Sequence, residues 1–324
     1  MFDVTAVGEL LIDFTPAGKN EAGCTLFAQN PGGAPANVLV AVSRLGGKTA
    51  FIGKVGSDGF GEFLKTTLDL NGVSTENLVR IDRVLTTLAF VQLDEKGDRS
   101  FSFCRNPGAD ILLTPENVNP DLLHNTHFLH FGSVSLTDEP SRSATLHAVR
   151  TAKSAGAVIS YDPNYRAPLW SSEQEAMEQM SAALPLADLV KLSEDELKML
   201  TGETDFLRGA KRIEALGAKL VLVTLGAKGV FYLLGDRSGT LPTYRVKTVD
   251  TNGAGDTFLG AVLFRLKDKS LRDIELLSEE ELLDILSFAN AAGSLATTKS
   301  GAIPAMPTRE EVERCQKTVP LLEP

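Results

Sequence analysis

The chain is expected to fold as an α/β protein with a largely parallel sheet and helices on both faces. Three observations predict this. Short apolar runs alternate with helical patterns along most of the 324 residues, the order that right-handed crossovers turn into a parallel sheet. Several of the runs read as buried strands. Only two stretches break the rhythm, and both look like short β segments set apart from the main sheet.

The elements follow in order. VTAVGELLIDF opens the chain as a strand, and Asp13 falls at its end. ANVLVAVSRLGG reads as a helix, with Val38, Val42 and Leu45 on one face and Gly46-Gly47 as its stop. TAFIGKVG is the next strand, and FGEFLKTTLDLNG a helix ended by Asn-Gly. FLHFGSVSL, AVISYDPN, LVKLS and KLVLVTLG supply further strands. SRSATLHAVRTAKSAG, SEDELKMLTG and TDFLRGAKRIEALG supply helices between them. LRDIELLSEEELLDILSFANAAGSLATT reads as helical with a solvated acidic face. LTTLAFVQLDEKGDRSFSFCR alternates around the turn DEKGD, as a β-hairpin does. With the strand-like residues 14–30 it is expected to form a small β lid. The chain is then one domain, 1–324, whose lid comes from insertions at about 14–30 and 85–106.

Composition narrows the function. Hydrophobic residues at 43% and charged residues at 23% are ordinary for a globular protein. The formal charge of −10 speaks against nucleic acid or an anionic membrane as partner. It leaves room for a small polyanion such as ATP, held by local amides, a lysine or a metal. Cys24, Cys104 and Cys315 form no CxxC pair, so neither a zinc site nor a disulfide framework is expected. The N-terminus carries Asp3 and Glu9 and no basic segment, and no run approaches a membrane span of roughly 20 apolar residues. A cytoplasmic protein is expected.

Several motifs carry chemistry, each beside a plainer reading. GGKT at 46–49 is not a P-loop, because Val42 stands where the first glycine belongs. His124, His127 and His130 cross from a loop into a strand, which does not gather three imidazoles on one face. NPGGAPANV (30–38) is either a plain strand-to-helix loop or a close backbone approach to a ligand. Asn37 and Asp13 would offer hydrogen bonds to a hydroxylated ligand at the sheet's carboxyl edge. DTNGAGDTF (250–258) precedes an apolar helix, so the amides of Gly253, Ala254, Gly255 and Asp256 would form an anion site. Asp256 is then either a capping acid or an acceptor for the proton of an attacking hydroxyl. VTLGAKG (223–229) is a left-handed turn or a nucleotide contact through Thr224. In VKLSEDEL (190–197), Lys191 would meet phosphate and Glu194 would organise Mg2+ through water; alternatively Ser193 simply caps a helix.

Taken together, the sequence resembles the ribokinase/PfkB family of sugar kinases, and within it the fructokinases. GELLIDFTP with PGGAPANVLVAVSRLGG looks like the family's sugar-side signature, and DTNGAGDTF like its C-terminal one. VTLGAKG and SFANAAGSLATTKSGAIPAMPT resemble its nucleotide-side segments. FCRNPGAD, FGSVSL and ISYDPNYRAPLW look more like fructokinases than like ribokinases or nucleoside kinases. The resemblance implies a ribokinase-like three-layer α/β/α fold with a β lid, using ATP and Mg2+, that phosphorylates the 6-hydroxyl of D-fructose. Asp256 matches the catalytic base, and Gly253, Ala254 and Gly255 the anion hole. Asp13, Gly32, Gly33 and Asn37 match sugar contacts, joined by Arg105 and Arg166. Lys191, Thr224, Gly226, Gly229 and Asn290 match nucleotide positions. Asp250, Asn252, Ala296, Lys299 and Gly301 fall where many members bind a monovalent cation such as potassium. The pattern is broken twice: Lys191 replaces an asparagine common ahead of Glu194, and Ala305 a common cation-site serine.

The near rival is the same chemistry on 2-keto-3-deoxygluconate or another sugar, for which Arg105 and Arg166 would bind a carboxylate. A sugar- or nucleotide-sensing module on a retired kinase scaffold is the rival from another class. A nicotinamide dehydrogenase is excluded, since the first strand leads into GELLID and not GxGxxG. The lid's exposed edges invite a homodimer.

Overall fold

The computed structural model describes residues 1–93 and 99–322. Its strands are β1 Phe2–Val7, β2 Leu11–Lys19, β3 Thr25–Gly32, β4 Thr49–Gly56, β5 Val73–Ile81, β6 Leu88–Leu93 and β7 Arg99–Cys104. They continue with β8 Thr126–Gly132, β9 Val158–Asp162, β10 Leu189–Ser193, β11 Leu220–Thr224, β12 Val230–Leu234 and β13 Arg237–Leu241. Nine form one sheet in the order β13-β12-β11-β10-β9-β8-β1-β4-β5. Its pairings are parallel from β11 through to β5. The β11–β12 and β12–β13 pairings at the edge are antiparallel.

Two separate apolar clusters flank this sheet. One joins Val38, Val42, Leu259, Leu263 and Leu286; the other joins Leu129, Ile159, Ala148, Ala176 and Ile213. A sheet buried on both faces needs near-continuous apolar strands, and β4 is buried at all eight positions. The molecule is thus the three-layer α/β/α structure expected.

The second sheet has the order β3-β2-β6-β7. It pairs residues 11–32 with the hairpin of β6 and β7, in which Leu88 lies opposite Cys104. The DEKGD turn expected at 94–98 lies outside the described residues. Phe14 stacks on Phe90 at 5.0 Å and meets Phe60 edge-on at 5.8 Å, which ties this sheet to the helix Gly59–Leu70.

Three expectations need correction. VTAVGELLIDF is not one strand: the chain leaves the large sheet at Gly8 and enters the small one at Leu11. Glu9, buried between them, turns inward to accept the Ala34 amide at 2.9 Å. Asp13 therefore sits within β2, not at the end of the first strand. FLHFGSVSL stops as a strand at Gly132, where Ser133 N donates to the Pro163 carbonyl and 134–136 close a 3₁₀ turn. The acidic helical segment is two helices, Leu271–Glu275 and Glu279–Ala296. Ser278 accepts the Glu281 amide while Glu281 accepts the Ser278 amide, a capping box that starts a new helix.

Candidate active site

Two helices make the centre of the site. Ala34–Arg44 follows the Gly32-Gly33 turn, and Ala254–Leu266 follows Gly253, which adopts φ +71°. A side chain at Gly253 would meet Ala302 Cβ at 2.6 Å, so both conformation and space call for glycine here. Where the helices cross, Asn37 Nδ2 donates to Asp256 Oδ2 at 2.8 Å across 219 residues of sequence. Asn37 Oδ1 is buried with no protein partner.

The 253–256 turn is a wall between two cavities. Gly253 and Asp256 face a small one of about 90 Å³, which also meets Glu9, Asp13, Gly33, Asn37 and Arg166. Ala254 and Gly255 face the larger one, about 430 Å³, which meets Thr224, Gly226, Gly229 and Asn290. The first cavity holds three carboxylates against one guanidinium. Among the described residues, no Asp, Glu, Lys, Arg or His side chain lines the second.

The carboxylates of the first cavity are perturbed in one direction. Burial pushes Glu9 up to about 7, against the bond from Ala34. Burial likewise raises Asp13 to about 6, opposed by Arg166 and reinforced by Asp256. Asp256 is raised by burial first and by Asp162 second, while the Asn37 bond, Lys191 and Arg166 pull it down. Gly32 lies so close that a Cβ there would overlap the Asp13 carboxylate.

The structure gathers most of the sequence-derived residues, with differences. Arg166 is exposed over the small cavity. Arg105 is elsewhere: its guanidinium binds Asp110 at 2.7 Å, Thr137 Oγ1 at 2.8 Å and the Val134 carbonyl, with 5% of the side chain exposed. Lys191 lines neither cavity and instead pairs with Asp162 beneath the turn. Asn290 Nδ2 donates to the Leu241 and Pro242 carbonyls and Thr224 Oγ1 to Leu192, so both brace the larger cavity's wall. Ser193 and Glu196 form the cap of the helix Glu194–Thr201, which leaves Glu194 outside the capping bonds. The Ala254 amide, expected to face an anion, makes a long bond of 3.3 Å to Thr251 O.

Asp250 joins two segments: its carboxylate accepts the amides of Asn252 and Gly301, and its own amide donates to Thr297 O. Gly301 and Thr297, the neighbour of Ala296, are thereby brought to the 250–252 loop, with Lys299 on the segment between them. Asn252 also reaches the small cavity. The three histidines go separate ways, His124 to the Pro120 carbonyl, His127 to that of Lys269 and His130 to Ser160. Sequence reasoning missed Glu9, Asn30 and Asn164 as cavity residues. The signal for Glu9 is a lone acid inside an apolar run, directly after Gly8.

Comparison with known proteins supplies the context. A model described as pfkB family carbohydrate kinase matches residues 1–309. Fructokinase-2 of Solanum lycopersicum is 46% identical over 312 residues, 95% of this chain and 94% of that one. A fructokinase from Xylella fastidiosa, solved with bound ATP, is 37% identical with a TM-score of 0.91, covering 98% of this chain and 99% of that one. A fructokinase from Vibrio cholerae O395 in a fructose, ADP and calcium ion bound form is 37% identical with a TM-score of 0.86, over 97% and 98% of the two chains. A double mutant of it is described in a fructose, ADP and potassium ion bound form.

Proposed function

The chain belongs to the PfkB family of carbohydrate kinases, and from that premise we propose that it transfers the γ-phosphoryl group of ATP to the 6-hydroxyl of D-fructose. One observation carries the reading: the 253–256 turn separates a carboxylate-rich cavity from one that no charged side chain lines among the described residues. A polyphosphate is repelled by Asp13 and Asp256, whereas a neutral polyol is recognised by them and by Glu9. The sugar therefore takes the small cavity and the nucleotide the larger one, with its phosphates against the helix N-terminus.

Asp256, oriented by Asn37, accepts the proton of the attacking hydroxyl. The first-turn amides at Gly253 and Gly255 face the charge that develops on the transferred group, and the Ala254 amide joins them by giving up its long bond to Thr251 O. Asp13, Asn37 and the Gly32-Gly33 turn hold the sugar, and Arg166 covers it. Thr224, Gly226, Gly229 and Asn290 shape the nucleotide wall. Glu194, free of the helix cap, would hold Mg2+ through water, and the bound ion would offset phosphate charge. The oxygen donors around Asp250, Asn252, Ala296, Lys299 and Gly301 suit a hard cation, and potassium is the one we assign there. The small sheet is the lid, and its β3 edge, with Leu26 and Phe27 exposed, is the surface through which two copies would pair. Among the described residues no helix is long and apolar enough to cross a membrane. We place the enzyme in the cytoplasm, without a nucleic-acid partner.

Engagement of Arg105 with Asp110 weighs against the keto-acid alternative, because a sugar carboxylate would meet Arg166 alone among three carboxylates. Relatives named fructokinase at 45–48% identity weigh the same way. The test is ADP release from a panel of fructose, glucose, ribose and 2-keto-3-deoxygluconate, with potassium or sodium, and Asp256→Asn as the blank. Fructose is expected to give the highest kcat/KM, with 31P spectra of the product showing the 6-phosphate. Loss of the general base should lower turnover about 10²–10⁴-fold. A larger kcat/KM for the keto acid, or near-normal turnover in Asp256→Asn, would refute the reading.

A further inference from the structure

Beneath the 253–256 turn lies an ion pair that no step above uses. Lys191 Nζ donates to Asp162 Oδ2 at 2.6 Å, with 8% and 2% of the two side chains exposed. The residues stand on neighbouring strands, one position past the Val190–Tyr161 rung of β10 and β9. A Cβ on Gly255 would come within 3.3 Å of Lys191 Nζ and 3.4 Å of its Cε, so the ammonium lies directly under that glycine. Asp162 Oδ1 is buried with no protein partner.

We infer that Lys191 is a positioning residue for Asp256 and not a nucleotide contact: clamped by Asp162, its ammonium props the 253–256 turn and supplies the countercharge beneath the base. The inference rests on Asp256 being that base. Buried ion pairs are seldom the most stable filling for a core, and apolar replacements of similar volume are often neutral or stabilising. A pair in this place is therefore better explained by the charge it presents to the turn.

The charges around Asp256 make the consequence specific. Asp162 from β9 and Asp13 from β2 repel its carboxylate; Lys191 from β10 and Arg166 from the loop after β9 attract it, and Asn37 donates to it. Burial alone would discharge Lys191, but Asp162, Glu196 and Asp256 hold its pKa above the ordinary value. His130, the neighbouring imidazole, is pushed down to about 3 by burial and by Lys191, so it stays neutral and adds no charge. Lys191 is thus a fixed cation at working pH, and the two members of the pair act on Asp256 with opposite sign.

The experiment is the pH profile of kcat/KM for fructose in Lys191→Met, Asp162→Asn and the double variant, with thermal unfolding as the control for folding. The acidic limb is expected to move up by about one pH unit in Lys191→Met and down by a similar amount in Asp162→Asn. In the double variant it should return toward the wild-type position, which keeps the test decisive if Lys191→Met alone fails to fold. Opposite shifts from two partners of one ion pair are not produced by a merely structural role. Limbs that stay in place while Asp256→Asn is inactive would overturn this inference and leave the base assignment standing. An unshifted limb with a raised KM for ATP in Lys191→Met would overturn it too, in favour of direct phosphate contact. Turnover in Asp256→Asn would instead remove the base on which it rests.

Discussion

Gly260→Ala tests whether the helix crossing sets the catalytic geometry. Asn37 and Ala41 are one turn apart on the first helix, Asp256 and Gly260 one turn apart on the second. The Asn37–Asp256 bond and the Ala41–Gly260 contact are therefore successive rungs of one crossing. A Cβ at Gly260 would lie 2.6 Å from Ala41 Cβ and 2.8 Å from the Val38 carbonyl. Carbon–carbon contacts prefer roughly 3.5–4.0 Å, so the helices must part by about 1 Å. Overpacking of this kind costs about 1–3 kcal/mol, while glycine-to-alanine in a helix returns about 1 kcal/mol. The net loss is about 1 kcal/mol, a fall in Tm of only a few degrees. The effect on catalysis is larger, because a displacement of about 1 Å at the reacting groups can cost about 10²-fold. Differential scanning calorimetry and steady-state kinetics on the same preparation read both. Helix propensity by itself predicts the opposite sign, so a raised Tm with kcat within about twofold of wild type would refute the argument.

Three further outcomes follow from the same geometry. Asn37→Ala removes a bond that lowers the Asp256 pKa; the base must be ionised, so the acidic limb of kcat/KM should move to higher pH, and a limb that moves down would contradict the assignment. Arg105→Met leaves Asp110 buried without its partner, which should cost about 3–5 kcal/mol in chemical denaturation with little change in the KM for fructose of the folded fraction. A large KM effect without loss of stability would return Arg105 to the sugar site. Glu9 is 4% exposed and is raised from 4.5 to about 7 in the folded state. Its native form therefore holds a proton more tightly than the unfolded chain, and the stability this contributes is complete below about pH 4.5 and lost by about pH 7. Glu9→Gln should remove this slope and stabilise the protein at pH 8 by about 3 kcal/mol; parallel stability–pH curves for the two proteins would refute it.

The fold was legible wherever local pattern and tertiary environment agreed. ANVLVAVSRLGG and TAFIGKVG carry their period and stop signals within a dozen residues, and both formed as read. VTAVGELLIDF reads as one strand because an apolar run has no mark for the point where a strand changes sheets. That point is set by Glu9 reaching Ala34, a contact 25 residues away. The split at Ser278 was different, since SEEE is a capping signal in the sequence itself, overlooked because apolar spacing continues through it. Residues 230–241, to which the sequence reading assigns no element, complete the large sheet as its antiparallel edge.

The site was legible as residue types and not as burial. DTNGAGDTF and PGGAPANV could be paired on paper, but only the Gly260–Ala41 contact explains why Asn37 reaches Asp256. Arg105 and Arg166 look equivalent in sequence, each lying within two residues of an asparagine in a segment that resembles a fructokinase one. What separates them is Asp110, five residues beyond Arg105 and itself buried, which draws that guanidinium into the protein. Arg166 has no such acid in its own loop and stays over the cavity, where Asp13 and Asp256 are the carboxylates it faces. The same distinction applies to Lys191: a strand-end lysine suggests phosphate, but Asp162 on the adjacent strand decides where its charge goes. In each case the partner, and not the cation, determines the role. Nothing in the spacing of a single chain shows which carboxylate the fold brings alongside.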